Sequence, residues 1–330
     1  MALASRLIAR GVSVALLLAV ADGTTLSHAQ APRVPQAVAP FPAGLSGTLV
    51  FESDIAGRPG LYTLDLARGA ITRLTGEATF SEQTPRWSPD GRQVVFASNR
   101  AHYVGATRDT GTPDLDVWVV NADGSNARRL TTDAAHDADP TWTPDGAAVV
   151  FSSDRDSRGD LYMLTLATGA ITRLTRHFVG RAIMPSVSPA PSRTAFAAQT
   201  LRVGAFWDFQ IHLRNGDGAI VPLASTAGAC WPRWSPDGRR LAHVRLTPDA
   251  PSALEVRDGP TLATSKVLTA QGLWSYYPAW SPDQTRLAFS VSPAHHEGEN
   301  WDLAVIDPAT GAWTRLTHGA GNDRLSDWKK

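Results

Sequence analysis

Short apolar runs alternate with polar turns through most of the chain. The pattern is clearest where Trp-Ser-Pro-Asp-Gly occupies residues 234–238. It returns at residues 87–91, as Trp-Thr-Pro-Asp-Gly at 142–146, and as Trp-Ser-Pro-Asp at 280–283. Proline presets φ in a turn, aspartate can bond its own backbone, and glycine accepts a positive φ. Because an apolar run such as residues 94–96 follows each copy, the pattern predicts two strands joined by a tight turn.

The strands group into a unit of four that repeats along the chain. In the best copy the strands lie at or near residues 85–87, 93–98, 116–121 and 127–131. The fourth strand ends in Arg-Leu-Thr. The same ending recurs at residues 73–75, 173–175 and 315–317. Four short antiparallel strands in a unit of ~45 residues are typical of a propeller blade.

The two ends of the repeat region complement each other. Residues 47–51 match a second strand with no first strand before them, and residues 325–328 match a first strand with nothing after them. Pairing of these segments would close the ring and remove the edges that an open array exposes. We therefore predict an all-β fold: a six-bladed β-propeller of four antiparallel strands per blade, closed by the C-terminal strand pairing into the first blade.

The residues before the repeats have a different composition. Arg6 and Arg10 precede an apolar segment at residues 12–21, and Ser-His-Ala at 27–29 provides a small-x-small cleavage site. The apolar segment is too short to span a bilayer comfortably. We predict a cleaved signal peptide at residues 1–29, a mobile Pro/Ala-rich leader at 30–46, the propeller at 47–330, and no membrane span after cleavage.

Bulk composition narrows the range of partners. The chain of 330 residues has 31 basic and 31 acidic side chains, a balance that offers no footprint for nucleic acid. Its 11 tryptophans favour a β fold rich in aromatic contacts. Cys230 is the single cysteine, so the chain can form no internal disulfide. Together with the export signal, this suits the periplasm or secretion from a bacterium.

The order of the motifs resembles the repeat of TolB-type β-propellers. Pro-x-Trp-Ser-Pro-Asp-Gly, an apolar strand, a third strand such as Asp-Leu-Tyr at 160–162, and Arg-Leu-Thr follow one another through nearly everything after residue 46. The resemblance implies a six-bladed propeller, and the family's namesake is a periplasmic member of the Tol–Pal envelope system. That namesake has an α/β domain ahead of its propeller, for which the residues before the repeats here are too few.

Function is expected on one face of the propeller. The Trp-Ser-Pro-Asp-Gly turns are stereotyped, whereas the links into each innermost strand vary, as binding loops on a rigid scaffold do. Aligning these links on the proline of each Pro-x-Trp gives the predicted binding residues of the channel mouth: Glu82, Gln83, His136, Asp137, Asp139, Arg181, Trp231, Trp274, Tyr276, Tyr277, Asn322 and Asp323. Met184, Cys230 and Arg324 lie in the same links.

Long links between second and third strands are further candidates for binding. The longest covers residues 99–114 and contains Tyr103, Arg108 and Asp109; another covers residues 201–207. Loops of this length are usually functional or disordered, and we favour function here.

Metal chemistry has less support in the sequence. His136, His177 and His318 are the candidate ligands, but no regular His-x-x-x-His or Cys/His spacing appears. Cys230 has no assignable base or positive neighbour, so we expect a structural thiol there. We expect no cofactor, with a bound divalent cation as the alternative.

Three hypotheses follow for the channel mouth. The first is an exported, monomeric scaffolding propeller that binds a protein or peptide in the cell envelope. The second is a lyase or hydrolase that acts on a polysaccharide or oligosaccharide with the histidines and carboxylates as acids and bases. The third is a carbohydrate-binding propeller in which Trp231, Trp274 and Tyr277 stack on sugar rings. The sequence favours the first hypothesis and leaves enzymatic activity open.

Overall fold

The computed structural model describes residues 35–38, 41–76, 80–101, 114–156, 159–189, 193–199, 209–248, 250–294, 300–319 and 321–330. Arg33–Lys330 forms one compact unit. Within the described ranges the regular elements are all β-strands, and no helix long and apolar enough to cross a membrane is found there.

Six antiparallel sheets of four strands form the blades, which confirms the predicted fold. Blade 1 consists of β26 (Asp323–Lys329), β2 (Thr48–Ser53), β3 (Gly60–Asp65) and β4 (Ala70–Arg73). Blade 2 consists of β5 (Glu82–Trp87), β6 (Gln93–Ser98), β7 (Asp116–Asn121) and β8 (Arg128–Arg129). Blade 3 consists of β9 (Asp137–Trp142), β10 (Ala148–Ser153), β11 (Asp160–Thr165) and β12 (Ile171–Arg173).

The remaining blades have the same order, with the innermost strand first. Blade 4 consists of β13 (Arg181–Val187), β14 (Thr194–Gln199), β15 (Phe209–Arg214) and β16 (Ile220–Ala227). Blade 5 consists of β17 (Ala229–Trp234), β18 (Leu241–Thr247), β19 (Ala250–Asp258) and β20 (Thr264–Leu268). Blade 6 consists of β21 (Trp274–Trp280), β22 (Leu287–Ser292), β23 (Asp302–Ile306) and β24 (Trp313–Arg315).

The ring closes where the first and last blade strands of the chain pair. β2 and β26 run antiparallel, with Leu49 opposite Trp328. The seam is tight at Gly47, because a Cβ built there would lie 2.2 Å from the carbonyl oxygen of Lys329. Gly47 also has a φ of +91°, a backbone conformation that residues with a side chain rarely adopt. The predicted closure by the C-terminal strand is thus confirmed.

The repeated turn follows from local hydrogen bonding. The Ser88 hydroxyl donates to the Asp90 carboxylate at 2.6 Å and accepts from the Gln93 amide at 2.9 Å. Gly91 then completes the turn at a φ of +69°. The same Ser–Asp or Thr–Asp bond of 2.6 Å recurs at Thr143, Ser235 and Ser281. This face of the ring is therefore fixed by short-range chemistry, as the sequence predicted.

The threonine joins one blade to the next in three of the four Arg-Leu-Thr endings. The Thr75 hydroxyl of blade 1 accepts from the Leu61 amide at 3.1 Å and donates to the Glu82 carboxylate of blade 2. Matching threonine–carboxylate bonds link blade 2 to blade 3 and blade 6 to blade 1. They are formed by Thr131 with Asp137 and by Thr317 with Asp323. We call these three bonds the threonine latches.

One buried position on each second strand, the phenylalanine position, fills the space between blades. Five blades place a phenylalanine there with at most 1% of its surface exposed: Phe51, Phe96, Phe151, Phe196 and Phe289. Register with the turn tryptophan puts His243 at this position in blade 5. Blade 5 therefore departs from a packing rule that the rest of the ring obeys.

Part of the predicted leader pairs with the ring. β1 (Gln36–Ala37) runs antiparallel to β25 (Thr317–His318), and the Val38 amide donates to the Leu316 carbonyl at 2.9 Å. The sequence analysis did not anticipate this pairing, because two residues carry no readable periodicity. The predicted signal peptide at residues 1–29 lies outside the described residues and stays a prediction.

We predict that Asp327→Ala weakens the closed ring. The Asp327 carboxylate accepts from the Trp87 amide at 2.8 Å and from the Arg233 guanidinium at 2.5 Å, so it joins blade 1 to blades 2 and 5. Removing it leaves a charge buried without its partner, which costs about 3 kcal/mol of the free energy of unfolding. Urea unfolding followed by tryptophan fluorescence measures this loss. The exposed Asp114→Ala is the control, and equal midpoints for the two variants would contradict the role assigned to Asp327.

Candidate functional site

A pocket of about 380 Å³ lies at the mouth of the central channel. All six innermost strands contribute to its wall, which places it on the axis of the ring. One residue from each blade in turn is Arg324, Thr84, Asp139, Met184, Trp231 and Tyr277. Links between second and third strands also contribute, through Asp154 and Gly159. The pocket therefore opens on the face with variable loops.

Five of these wall residues share an unusual backbone conformation. Each precedes the proline of its innermost strand and has a positive φ. The values are 53° for Thr84, 51° for Asp139, 56° for Met184, 52° for Trp231 and 59° for Tyr277. We call them the left-handed residues. In each case the pairing with the second strand shifts register at this point, as in a β-bulge.

The bulge explains how these side chains reach the channel. A residue inserted as a bulge bends its strand and turns its side chain away from the regular alternation. Positive φ is uncommon outside glycine, and for a β-branched residue such as Thr84 it is an outlier. Strained positions of this kind concentrate at binding and active sites. The ring thus directs one chosen side chain from each of five blades into the pocket.

Carboxylates form the polar side of the pocket. Glu52 is buried; it accepts from the Thr84 amide at 3.3 Å and faces the Arg324 guanidinium at 3.4 Å. Burial raises the pKa of Glu52 to about 7, against the opposing effect of Arg324. Asp139 accepts from the Met184 amide at 3.3 Å, and burial raises its pKa as well. Both carboxylates therefore lack the solvation they would have in water, which favours a ligand that donates hydrogen bonds.

Aromatic side chains form the opposite side. The rings of Trp231 and Tyr277 meet edge to face with centroids 4.8 Å apart, and both side chains are partly exposed to the pocket. Burial raises the pKa of the Tyr277 hydroxyl, so this group stays protonated and able to donate. Met184 extends the apolar side. Rigid aromatic anchors beside polar groups are typical of protein-binding surfaces.

Six of the predicted binding residues come together in this pocket. They are Gln83, His136, Asp139, Arg181, Trp231 and Tyr277. They lie on, or close to, the bulge that turns side chains inward, and their binding role stays a prediction.

The other six predicted residues lie outside the pocket wall. Glu82, Asp137 and Asp323 are buried acceptors of the threonine latches; Arg100 pairs with Glu82 at 2.5 Å. Tyr276 and Trp274 pack in the hydrophobic core of blades 4 to 6. Asn322 donates two hydrogen bonds of 2.7 Å to Asp54. These side chains hold the links that carry the pocket.

The prediction missed Glu52 and Thr84, and it left Met184 and Arg324 out of the site. Glu52 comes from a second strand, which no alignment of links examines. The sequence does contain a signal for it, because the corresponding residues of the other blades are uncharged: Ala97, Ser152, Ala197, Val244 and Ser290. A lone carboxylate in such a series indicates function or a buried ion pair.

The candidate metal ligands do not converge. His136 lines the pocket, whereas His177 and His318 are exposed and absent from its wall. Among the described residues no three His, Cys, Asp or Glu side chains are placed to hold a metal ion. Cys230 is buried, and burial raises the pKa of its thiol, which suits a structural residue. The candidate loops at 99–114 and 201–207 lie almost wholly outside the described residues.

The fold and pocket define a class, a six-bladed β-propeller with a mixed pocket at its channel mouth. Residues 104–221 match the family model of the TolB beta propeller domain. Tol-Pal system protein TolB of Francisella tularensis subsp. mediasiatica (strain FSC147) is 23% identical over 237 residues, which cover 71% of this chain and 52% of that protein. Protein TolB homolog of Chlorobium luteolum is 30% identical over 176 residues, 44% of this chain and 40% of its own length.

Solved structures agree on the fold. The crystal structure of TolB from Acinetobacter baumannii superposes with a TM-score of 0.69 at 17% identity, covering 86% of this chain and 66% of that one. The resemblance read from the repeats is confirmed, and the chain is a six-bladed β-propeller similar to that of TolB proteins. It spans about half the length of the curated relatives it matches.

We predict that Glu52→Gln removes part of the pH dependence of stability. Burial raises the pKa of Glu52 from its ordinary value of 4.5 to about 7, so between these values the folded state holds a proton that the unfolded chain has released. The free energy of unfolding therefore falls as pH rises through this window, by about 3 kcal/mol for this shift. Urea unfolding of both proteins between pH 4 and pH 8 measures the difference.

The comparison isolates Glu52 from other carboxyls, such as Asp323, whose pKa burial raises to about 6. Asp323 is present in both proteins, so its contribution cancels. Asp217→Asn, at an exposed turn, is the matched control and should keep the wild-type profile. Parallel profiles for wild type and Glu52→Gln would contradict the prediction, because they would show that the pKa of Glu52 is the same in the folded and unfolded states.

Proposed function

We propose that this protein is an exported envelope propeller that binds a segment of a partner protein at its channel mouth. The observation that carries the proposal is the ring of left-handed residues, which presents aromatic, thioether, hydroxyl and carboxylate groups to one pocket. A peptide offers backbone N–H groups to the carboxylates of Glu52 and Asp139, carbonyls to Arg181 and Arg324, and an apolar side chain to the aromatic side.

The size and shape of the pocket support a short inserted segment. A volume of about 380 Å³ is at the small end of ligand sites and accommodates a few side chains rather than a folded surface. The variable loops around the mouth would contact the rest of the partner. The Tol-Pal system named for the Francisella relative supports a partner in the cell envelope. We expect the protein to be a monomer, and a monomer would leave the face with the channel-mouth pocket open to a partner.

Site-specific photo-crosslinking in bacterial cells tests this function. A photoreactive amino acid at Gln83, in the pocket wall, should give covalent protein adducts. The same residue at Arg92, in a turn on the opposite face, should give none. Adding Tyr277→Ala to the Gln83 probe should reduce the adduct at least tenfold, since an aromatic anchor is worth more than about 1.4 kcal/mol of binding. Adducts from the Arg92 probe but not from the Gln83 probe would refute the proposal. So would the absence of protein adducts together with glycan binding that requires Trp231.

Export has its own test. Residues 1–29 carry a signal-peptide pattern, so we predict that the mature protein begins at Gln30. Cell fractionation followed by mass spectrometry of the intact protein measures its location and first residue. Replacing Leu16 and Leu17 with arginine should interrupt the apolar segment and retain the unprocessed chain in the cytoplasm. An intact N-terminus on an exported protein would contradict cleavage at this position.

A further inference from the structure

Blade 5 has ionisable side chains where other blades have an aromatic pair. In blades 1 and 3 the phenylalanine position faces a tyrosine across the sheet; Phe51 and Tyr62 stack with ring centroids 5.9 Å apart. In blade 5 the two positions hold His243 and Glu255, which are register partners on β18 and β19. Both are buried, with 1% and 3% of their surfaces exposed. Burying such groups costs free energy that a Phe–Tyr pair would not.

Contacts within the protein explain why two of the polar residues in blade 5, Arg257 and Glu255, are buried. Arg257 donates to the carbonyls of Ala224 and Ser225 at 3.2 and 2.7 Å, which anchors the outer strand of blade 4. Its Nε lies 2.9 Å from the Glu255 carboxylate, which balances the buried guanidinium. The Arg257–Glu255 pair thus fixes the junction between blades 4 and 5.

His243 and Arg245 have no such explanation. The Nδ1 of His243 lies 3.1 Å from the Val244 carbonyl and donates to it, while Nε2 is buried with no hydrogen-bond partner among the described residues. Arg245 keeps 48% of its side chain exposed, and its nearest described carboxylate, Glu255, is 3.9 Å away. Blades 1 to 3 place serine where Arg245 stands, at Ser53, Ser98 and Ser153. Blade 5 has therefore gained two polar groups that bond little within the protein.

These two groups line one cavity. A pocket of about 360 Å³ lies between the outer strand of blade 4 and the face of blade 5, and His243 and Arg245 belong to its wall. Ser225, with a positive φ of 57°, forms part of the opposite wall. The volume suits a small molecule. This His243 pocket shares no lining residue with the channel-mouth pocket.

The net positive charge of the His243 pocket wall favours an anionic ligand. Two guanidinium groups, of Arg245 and Arg257, face the single carboxylate of Glu255, which leaves one positive charge in excess. Because Arg257 is already bonded to Glu255 and to backbone, the excess charge resides at Arg245. We propose that the His243 pocket is a second binding site, which holds a small anion with a carboxylate or phosphate group between Arg245 and His243 Nε2.

Binding of the anion is coupled to proton uptake. Burial, together with Arg257 and Arg245, lowers the pKa of His243 to about 4, while Glu255 opposes this shift. The other facing strands, β16 and β20, contribute the uncharged Ser225, Thr226 and Ser265. An anion beside the ring favours the imidazolium, whose Nε2–H then donates to it. The affinity for an anion therefore rises as pH falls.

Calorimetric titration of the full chain with sodium acetate and, separately, with inorganic phosphate tests the site. We expect one binding event per chain with a Kd of ~1 mM or tighter for at least one probe. The tighter probe identifies the head group as carboxylate or phosphate. Arg245→Ser and His243→Phe restore residues of the other blades, and each should weaken binding at least about tenfold. Acetate, which stays ionised over this range, should bind more tightly at pH 6 than at pH 8.

The controls separate this site from general charge effects. Arg239→Ser removes an exposed arginine from the turn of the same blade and should leave both affinities unchanged. Arg245 is partly exposed, so Arg245→Ser decides the question even if His243→Phe fails to fold. The proposal is overturned if neither probe binds with a Kd below ~10 mM, or if Arg245→Ser binds both as the wild type does.

Discussion

Every blade of this ring needs a neighbour on each side, and the pairing of Thr48–Ser53 with Asp323–Lys329 supplies the last one. Without it, the strands of blade 1 would end in an open edge, and Asp327 would lose its bonds to Trp87 and Arg233. Those bonds cross from the seam to blades 2 and 5. Closure therefore does more than seal the sheet, since it also places the Asp327 carboxylate beside the buried guanidinium of Arg233.

The same ring supports two kinds of departure from its own repeat. At the channel mouth, the left-handed residues keep the fold of each strand and vary only the side chain that is presented. In blade 5, His243 in place of phenylalanine alters the interior between blades, while His243 itself stays paired with Glu255 on the next strand. In both places the departure can be recognised because the corresponding residues of the other blades show which side chains the packing of a blade requires.

The fold could be predicted from sequence because its determinants are local. Ser88, Asp90 and Gly91 bond within one turn, and four copies of that turn fix the strand order. The site could be predicted only in part. Asp139 and Glu82 occupy similar links, yet a threonine of the preceding blade captures Glu82 while the bulge turns Asp139 inward. Spacing from the proline separates the two roles, since Glu82 lies three residues before Pro85 and Asp139 lies directly before Pro140. The sequence alone does not show which of the two spacings leads into the pocket, because that depends on contacts between blades.

The left-handed residues have a consequence for how such proteins diverge. Backbone geometry at the bulge turns Thr84, Met184 and Trp231 toward the channel. A new side chain at one of these positions inherits that direction without rearranging the strand that carries it. Recognition can then change by single substitutions, one blade at a time, while the ring remains the same. Propellers that share this architecture can therefore present different side chains at the channel mouth on the same ring of strands.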